Sequence, residues 1–333
     1  MGSPDISIAV DVLRRGGLVA FPTETVYGLG ADASNPSAVS RIYAVKGRPR
    51  NHPVIVHVAE ATAIKGWAAD VPPDAWTLAE AFWPGPLTLI LPRADHVPDA
   101  VTGGAGTVGL RVPNQPLALE LLEAFGGGIA APSANRFGRV SPTTAAHVRA
   151  DLGTDVDVVL DGGACAVGVE STIVDLSWGG PRVLRLGGLS VEALSDALGH
   201  PVLVSAVAGG PPLLGGGLGA AEAVPAPGTL PSHYAPAARV EVVAAEAVAD
   251  RATTLLGQGR RVGLLAPRPI SDLPDGLDAL PPAGRPQAYA KCLYQRLREA
   301  DRRGLDVLLA VPPPATGIGA AVVDRLNRAA SAA

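Results

Sequence analysis

Short apolar runs bounded by Gly and Pro alternate with helix-periodic stretches over the first two hundred residues, and after a break they alternate again. That rhythm constrains the fold more than any single residue does, because strands alternating with helices imply layered α/β packing. In the first region the runs at 18–21, 54–58, 87–91, 108–112, 129–131, 157–160 and 172–176 read as strands. Stretches 6–15, 36–45, 74–82, 115–124, 143–150 and 190–198 read as helices. Asn35-Pro36 and Ser141-Pro142 each supply an N-cap followed by proline at the first helical position. The expectation is a twisted mixed sheet with flanking helices. Residues 201–237 then lose periodicity and turn Gly-, Pro- and Ala-rich, the composition of an interdomain linker. Beyond it, strands at 240–244, 262–266 and 307–311 alternate with helices at 246–256, 287–303 and 318–330. This second pattern implies a smaller Rossmann-like parallel α/β domain. The expected division is therefore 1–200, 201–237 and 238–333.

Apolar residues make up 47% of the chain, enough for a core in each part. A formal net charge of −4 argues against gripping nucleic acid through a broad basic surface, though a small anion needs only a local pocket. Cys165 and Cys292 lie far apart with no C-x-x-C, and no H-E-x-x-H occurs, so no metal ligands are assigned. Residues 197–221 are uncharged but broken by Pro201, Pro211 and several glycines, which excludes a membrane helix there. With no signal-peptide pattern in the first thirty residues, the expectation is a soluble, cytoplasmic protein.

Chemistry concentrates in a few loops. The stretch from Phe21 to Gly30 packs Thr23, Glu24, Thr25 and Tyr27 between proline and Gly-x-Gly, where hydroxyls either serve a ligand or merely cap the next helix. The chain has 24 Arg but only three Lys, so Lys46 beside Arg48 and Arg50 is a selective choice. A point charge and two guanidinium forks suit phosphate oxygens; the plain alternative is a solvated charged turn. Arg111 sits inside the apolar run Val108–Val112, where a guanidinium needs a partner, either a neighbouring acid or a carboxylate ligand. Gly104 to Gly109 matches G-x-G-x-x-G, but a strand and a proline follow where a dinucleotide site needs a helix.

Seven ordered blocks carry a wider resemblance: FPTETVYGLG (21–30), KGRPRNHPVIVHV (46–58), WPGPLTLIL (83–91), GTVGLRVP (106–113), APSANRFGRVSPT (131–143), GVESTIVDL (168–176) and VLRLGGL (183–189). In order and spacing they resemble the YrdC-type threonylcarbamoyl-AMP synthase family, in its long two-domain form. The resemblance implies a YrdC-like first domain that condenses L-threonine, bicarbonate and ATP to threonylcarbamoyl-AMP with release of pyrophosphate. The product would feed a tRNA threonylcarbamoyl transferase complex acting on the adenosine beside the anticodon. Mg²⁺ accompanies ATP, and no redox cofactor is implied. Carried over by position, Lys46 and Arg48 stabilise the triphosphate and transition state, with Arg50 as helper. Thr25, His57, Arg111, Ala131 and Ser171 hold threonine. Arg48, His52, Thr107, Ser133, Ser141 and Arg185 hold ATP, and His233 or Tyr234 closes the nucleotide site from the linker. Two positions depart from the family pattern: His52 stands where Asn is usual, and Ala226 where Ser is usual. Glu24 and Tyr27 receive no role. A double-stranded RNA or tRNA-binding module is the alternative, and the net charge and scarce aromatics weigh against it.

Overall fold

A computed structural model of the chain describes residues 4–205 and 234–331. Most of the expected linker, and His233 with it, lies outside the described residues. Two compact units form. The first runs through Phe137 and adds Pro142–Cys165 and the chain from Glu170; the second takes Gly138–Ser141, Ala166–Val169 and the C-terminal residues.

The first unit is built on ten strands: β1 (Val19–Phe21), β2 (Gly28–Asp32), β3 (Ile55–His57), β4 (Leu87–Pro92), β5 (Thr107–Arg111), β6 (Ile129–Ala130), β7 (Val158–Val159), β8 (Thr172–Asp175), β9 (Arg182–Arg185) and β10 (Leu203–Val204). They lie in the order β10-β9-β8-β4-β5-β3-β6-β2-β1-β7. The sheet is mixed, as expected: β3 runs parallel to β5, while β4 runs antiparallel to it. Its helices are α1 (Pro4–Arg14), α2 (Pro36–Lys46), α3 (Pro73–Phe82), α4 (Asp99–Thr102), α5 (Pro116–Phe125), α6 (Ala145–Leu152) and α7 (Val191–Leu198). Alternation along β1 sends Val19 and Phe21 into an apolar cluster with α1 and α5, and Ala20 into a larger one with α2, α3 and α7. Helices therefore cover both faces.

The structure adds a strand beside β1 and moves one helix start. Gly28 and Gly30 lie in β2, a strand absent from the expected set, because β1 and β2 form an antiparallel hairpin with Phe21 opposite Gly28. A Cβ on Gly30 would stand 2.7 Å from Ile129 and 2.8 Å from the Phe21 ring, so glycine makes room for that ring. Helix α6 starts at Ala145 rather than at Pro142, and its cap is Thr144, whose side chain accepts from His147 N. Asn35 caps α2 as expected, accepting from Ser37 N and Ala38 N.

The second unit has four parallel strands, β11 (Arg239–Val242), β12 (Val262–Leu265), β13 (Asp278–Ala279) and β14 (Val307–Ala310), in the order β11-β14-β12-β13. Helices α8 (Val248–Gly257), α9 (Pro286–Arg302) and α10 (Ile318–Ala330) complete it. Tyr234 is buried there with φ 66°, its ring 5.7 Å from Tyr294 and 4.9 Å from the Arg325 guanidinium. No described helix is long and apolar enough to cross a membrane.

After β9 the chain turns back against β8 so tightly that a Cβ on Gly187 would lie 2.4 Å from the backbone of Glu170, Ser171 and Thr172. Backbone cannot step aside as a side chain does. Gly187→Ala is therefore expected to destabilise the first unit by about 3 kcal/mol, the upper end of ordinary overpacking, read as a shift in its denaturant midpoint.

Candidate functional site

The β1–β2 hairpin loop is a self-bonded turn. Thr23 Oγ1 accepts from Thr25 N and Val26 N, both at 3.2 Å, and donates to Val26 O at 2.6 Å. Thr25 Oγ1 lies 2.8 Å from it. The hydroxyls thus cap their own loop and not the next helix. Tyr27 donates its hydroxyl to Gly163 O at 2.8 Å and accepts from Gly162 N at 3.3 Å, pinning the 161–163 turn.

The Thr23–Val26 turn carries Glu24, which faces Arg111. The carboxylate Oε1 and guanidinium Nη2 stand 2.7 Å apart, with the side chains 7% and 4% exposed. Glu24 Oε2 accepts from Asn114 N at 3.1 Å, and Arg111 Nε donates to Gly85 O at 3.3 Å. The close contact is ionic but misaligned, so Oε1 and Nη2 are both left without a hydrogen bond. Directly across from Arg111 on parallel β3 is His57, whose buried Nδ1 also lacks a partner. Burial, and then the Arg111 charge, push the His57 pKa down to about 3, so the ring is neutral at physiological pH. Buried polar atoms without a hydrogen bond are costly and uncommon, and three collect here, two of them facing each other in the ion pair.

Ser171 opens onto a second polar network. Its Oγ is 2.8 Å from Thr88 Oγ1, and Arg185 grips both its carbonyl, at 2.8 Å from Nη2, and its hydroxyl, at 3.0 Å. The expected threonine residue and the expected ATP residue are thus bonded to each other. Ala131 N donates to Ile55 O at 2.8 Å, which places the 131–137 segment alongside β3.

The cationic loop is held inward. Lys46 Nζ donates to Ser133 O at 2.5 Å and also to Asn135 O, and its side chain is buried. Desolvation, then the nearby Arg48 charge, lowers its pKa well below the usual lysine value. Arg48 Nη2 donates to Pro53 O at 3.0 Å, and its guanidinium lies 5.9 Å from the Phe137 ring. Tyr43 donates toward His52 O and Ala100 O, both 2.9 Å away, and Asn51 packs so closely on Gly103 that a Cβ there would meet its carbonyl at 2.6 Å. These contacts bring the 46–53 loop to the turn that precedes Thr107. Gly28 bridges Ser133, so the 131–137 segment is a wall shared by the hairpin and the cationic loop.

Arg50 is exposed and joins none of these contacts. Ser141 and Tyr234 are both buried, and both group with the C-terminal unit. The matched glycines 104–109 run into β5 with no helix behind them. Glu24 and Tyr27 are the residues that sequence reasoning left unused; the signal for Glu24 was an acid in the motif and a buried arginine short of a partner. A separate cavity of 760 Å³, lined by Glu60, Trp67, His96 and Glu123 among others, contains no expected site residue. Among the described residues, no cluster of three His, Cys, Asp or Glu is placed to hold a metal ion.

The unfolded chain protonates His57 near pH 6.5 and the folded chain only near pH 3. Its neutral form therefore costs nothing above 6.5, and stability falls as pH drops from 6.5 toward 3. His57→Gln is expected to remove up to about 1.4 kcal/mol per pH unit of that acid slope, measured by urea unfolding at stepped pH.

Two family models match the chain. One, Sua5/YciO/YrdC, described as "Telomere recombination", matches residues 11–187, and one described as "Threonylcarbamoyl-AMP synthase, C-terminal domain" matches 189–331. The threonylcarbamoyl-AMP synthase of Pyrococcus abyssi is 40% identical, over 97% of this chain and 93% of its own. That of Bacillus subtilis is also 40% identical, over 98% and 93%. The crystal structure of P. abyssi Sua5 complexed with L-threonine is similar with a TM-score of 0.88 and 39% identity, covering 98% of this chain and 94% of that one.

Proposed function

We infer the chemistry of the site from one premise: the chain belongs to the threonylcarbamoyl-AMP synthase family. It is an enzyme that synthesises threonylcarbamoyl-AMP. Its substrates in our reading are L-threonine, bicarbonate and ATP, and its co-product is pyrophosphate. The adenylate then serves a cytoplasmic transferase that modifies tRNA. The observation that carries this reading is the cluster of buried, unsatisfied polar atoms on Glu24, Arg111 and His57, joined through Ser133 to the cationic loop.

Threonine's carboxylate lies on the Arg111 guanidinium, a planar fork suited to two oxygens. Thr25, the Ala131 backbone and Ser171 close around the side chain. His57, held neutral, offers a hydrogen bond without adding charge. The amine, once deprotonated, adds to the carbon of bicarbonate with loss of water and becomes a carbamate. A carbamate oxygen then attacks the α-phosphorus, and pyrophosphate leaves in line. Two anions meet and a third departs, so positioning and positive charge supply most of the rate.

Lys46 already uses two N–H groups on Ser133 O and Asn135 O, which fixes it in place and leaves a third for a phosphate oxygen. Arg48, His52, Thr107, Ser133 and Arg185 complete the nucleotide contacts. Mg²⁺ is assigned no protein ligand in this reading and would enter with the ATP triphosphate. When bound, it neutralises phosphate charge.

Pyrophosphate release should require threonine and bicarbonate together; turnover that persists without threonine sinks the reading. Arg111→Lys keeps the charge that Glu24 faces but loses the fork, so the threonine KM is expected to rise about tenfold or more while kcat changes less. Lys46→Ala should lower kcat at saturating threonine by about a hundredfold or more.

A further inference from the structure

Arg111 accounts for one end of an amino acid, and the other end, the α-ammonium, has no acceptor in the contacts so far assigned. In an α-amino acid the two groups flank a single carbon. An ammonium whose carboxylate sits on Arg111 therefore emerges within reach of groups bordering that guanidinium. The acid on that border is Glu24, with Oε1 2.7 Å from Nη2. We propose that Glu24 Oε1 is the acceptor for the substrate's α-ammonium, and so selects amino acids over other small carboxylates in this site.

Three observations support it. First, Oε1 is buried and makes no hydrogen bond, whereas Oε2 is occupied by Asn114 N. Second, a carboxylate serving only as Arg111's counter-ion gains most from an aligned, bidentate contact, and this one is misaligned. The free acceptor direction suits an additional N–H donor. Third, the carboxylate is preorganised: the Thr23 hydroxyl fixes the turn around Glu24 through Thr25 N and Val26 N, and little rearrangement is needed on binding. Arg111 and Glu24 then alternate in sign with the ligand's own carboxylate and ammonium. A zwitterion completes the set, whereas an anion lacking the amine leaves Glu24 facing it uncompensated.

The inference rests on the reading of this site as a threonine pocket, and calorimetric titration separates the two. L-threonine and (R)-3-hydroxybutyrate, the same molecule without its amine, are titrated into the full-length wild type and Glu24→Gln. Gln keeps an acceptor for Asn114 N and removes the charge. Wild type is expected to prefer threonine by roughly ten- to a hundredfold, and the variant to lose that preference because threonine weakens while 3-hydroxybutyrate holds or tightens. A parallel loss for both ligands shows a merely structural role and overturns the inference, as does unchanged threonine affinity. Equal wild-type affinities overturn it too, with no need for a folded variant. If wild type binds neither ligand, the threonine pocket itself falls.

Discussion

The buried contact between Glu24 and Arg111 ties the hairpin loop to the strand beside His57. Withdrawing two such charges from water costs on the order of several kcal/mol per ion, and their attraction offsets this only with good geometry and further hydrogen bonds. Asn114 N and Gly85 O supply two of those bonds. The rest is left incomplete, which is tolerable in the threonine pocket proposed above, where the ligand supplies the missing bonds. The same pair explains its neighbour: the guanidinium charge, added to burial, keeps His57 neutral.

A second constraint runs through the 131–137 segment. It lies against β3, bridges Gly28 through Ser133 and lends its carbonyls to Lys46. Lysine there is placed both to meet the proposed phosphates and to clasp the segment that walls the proposed amino-acid site. Phe137 N donates back to Lys46 O at 2.8 Å, so the end of α2 and this segment are fastened in both directions. Few groups around Lys46 are free to relax. That rigidity suits a reaction whose rate comes from placing anions.

Legibility followed the range of the forces involved. Asn35 was readable as a cap because capping is decided within three residues, and β3, β4 and β5 were readable from apolar runs that need only a sheet to join. Strand β2 was absent from the expected set because the local preference of Gly28 and Gly30 opposes a strand, and the reason for them, the Phe21 ring, lies across the hairpin. Ser141-Pro142 offered a plausible helix start, but the cap three residues on is Thr144, and the Tyr27 amide takes the Pro142 carbonyl. Short strands such as β9 and β10 carry too few residues to show a period.

The sequence by itself determined the alternation of strands and helices and the two-part organisation of that rhythm, and it supplied the residue types that we propose meet phosphate and carboxylate. It also placed Thr25, Lys46, Arg48 and Arg111 in loops and strands of recognisable order. Only the tertiary structure decided that Glu24, 90 residues from Asn114 in the chain, bonds its amide and faces Arg111, and that His57 stands across the sheet from that arginine. It likewise bound Arg185 to Ser171 and enclosed Lys46 in carbonyls. The reason is physical: propensity and capping act over a few residues, whereas desolvation and ion pairing depend on what the fold brings together from anywhere in the chain.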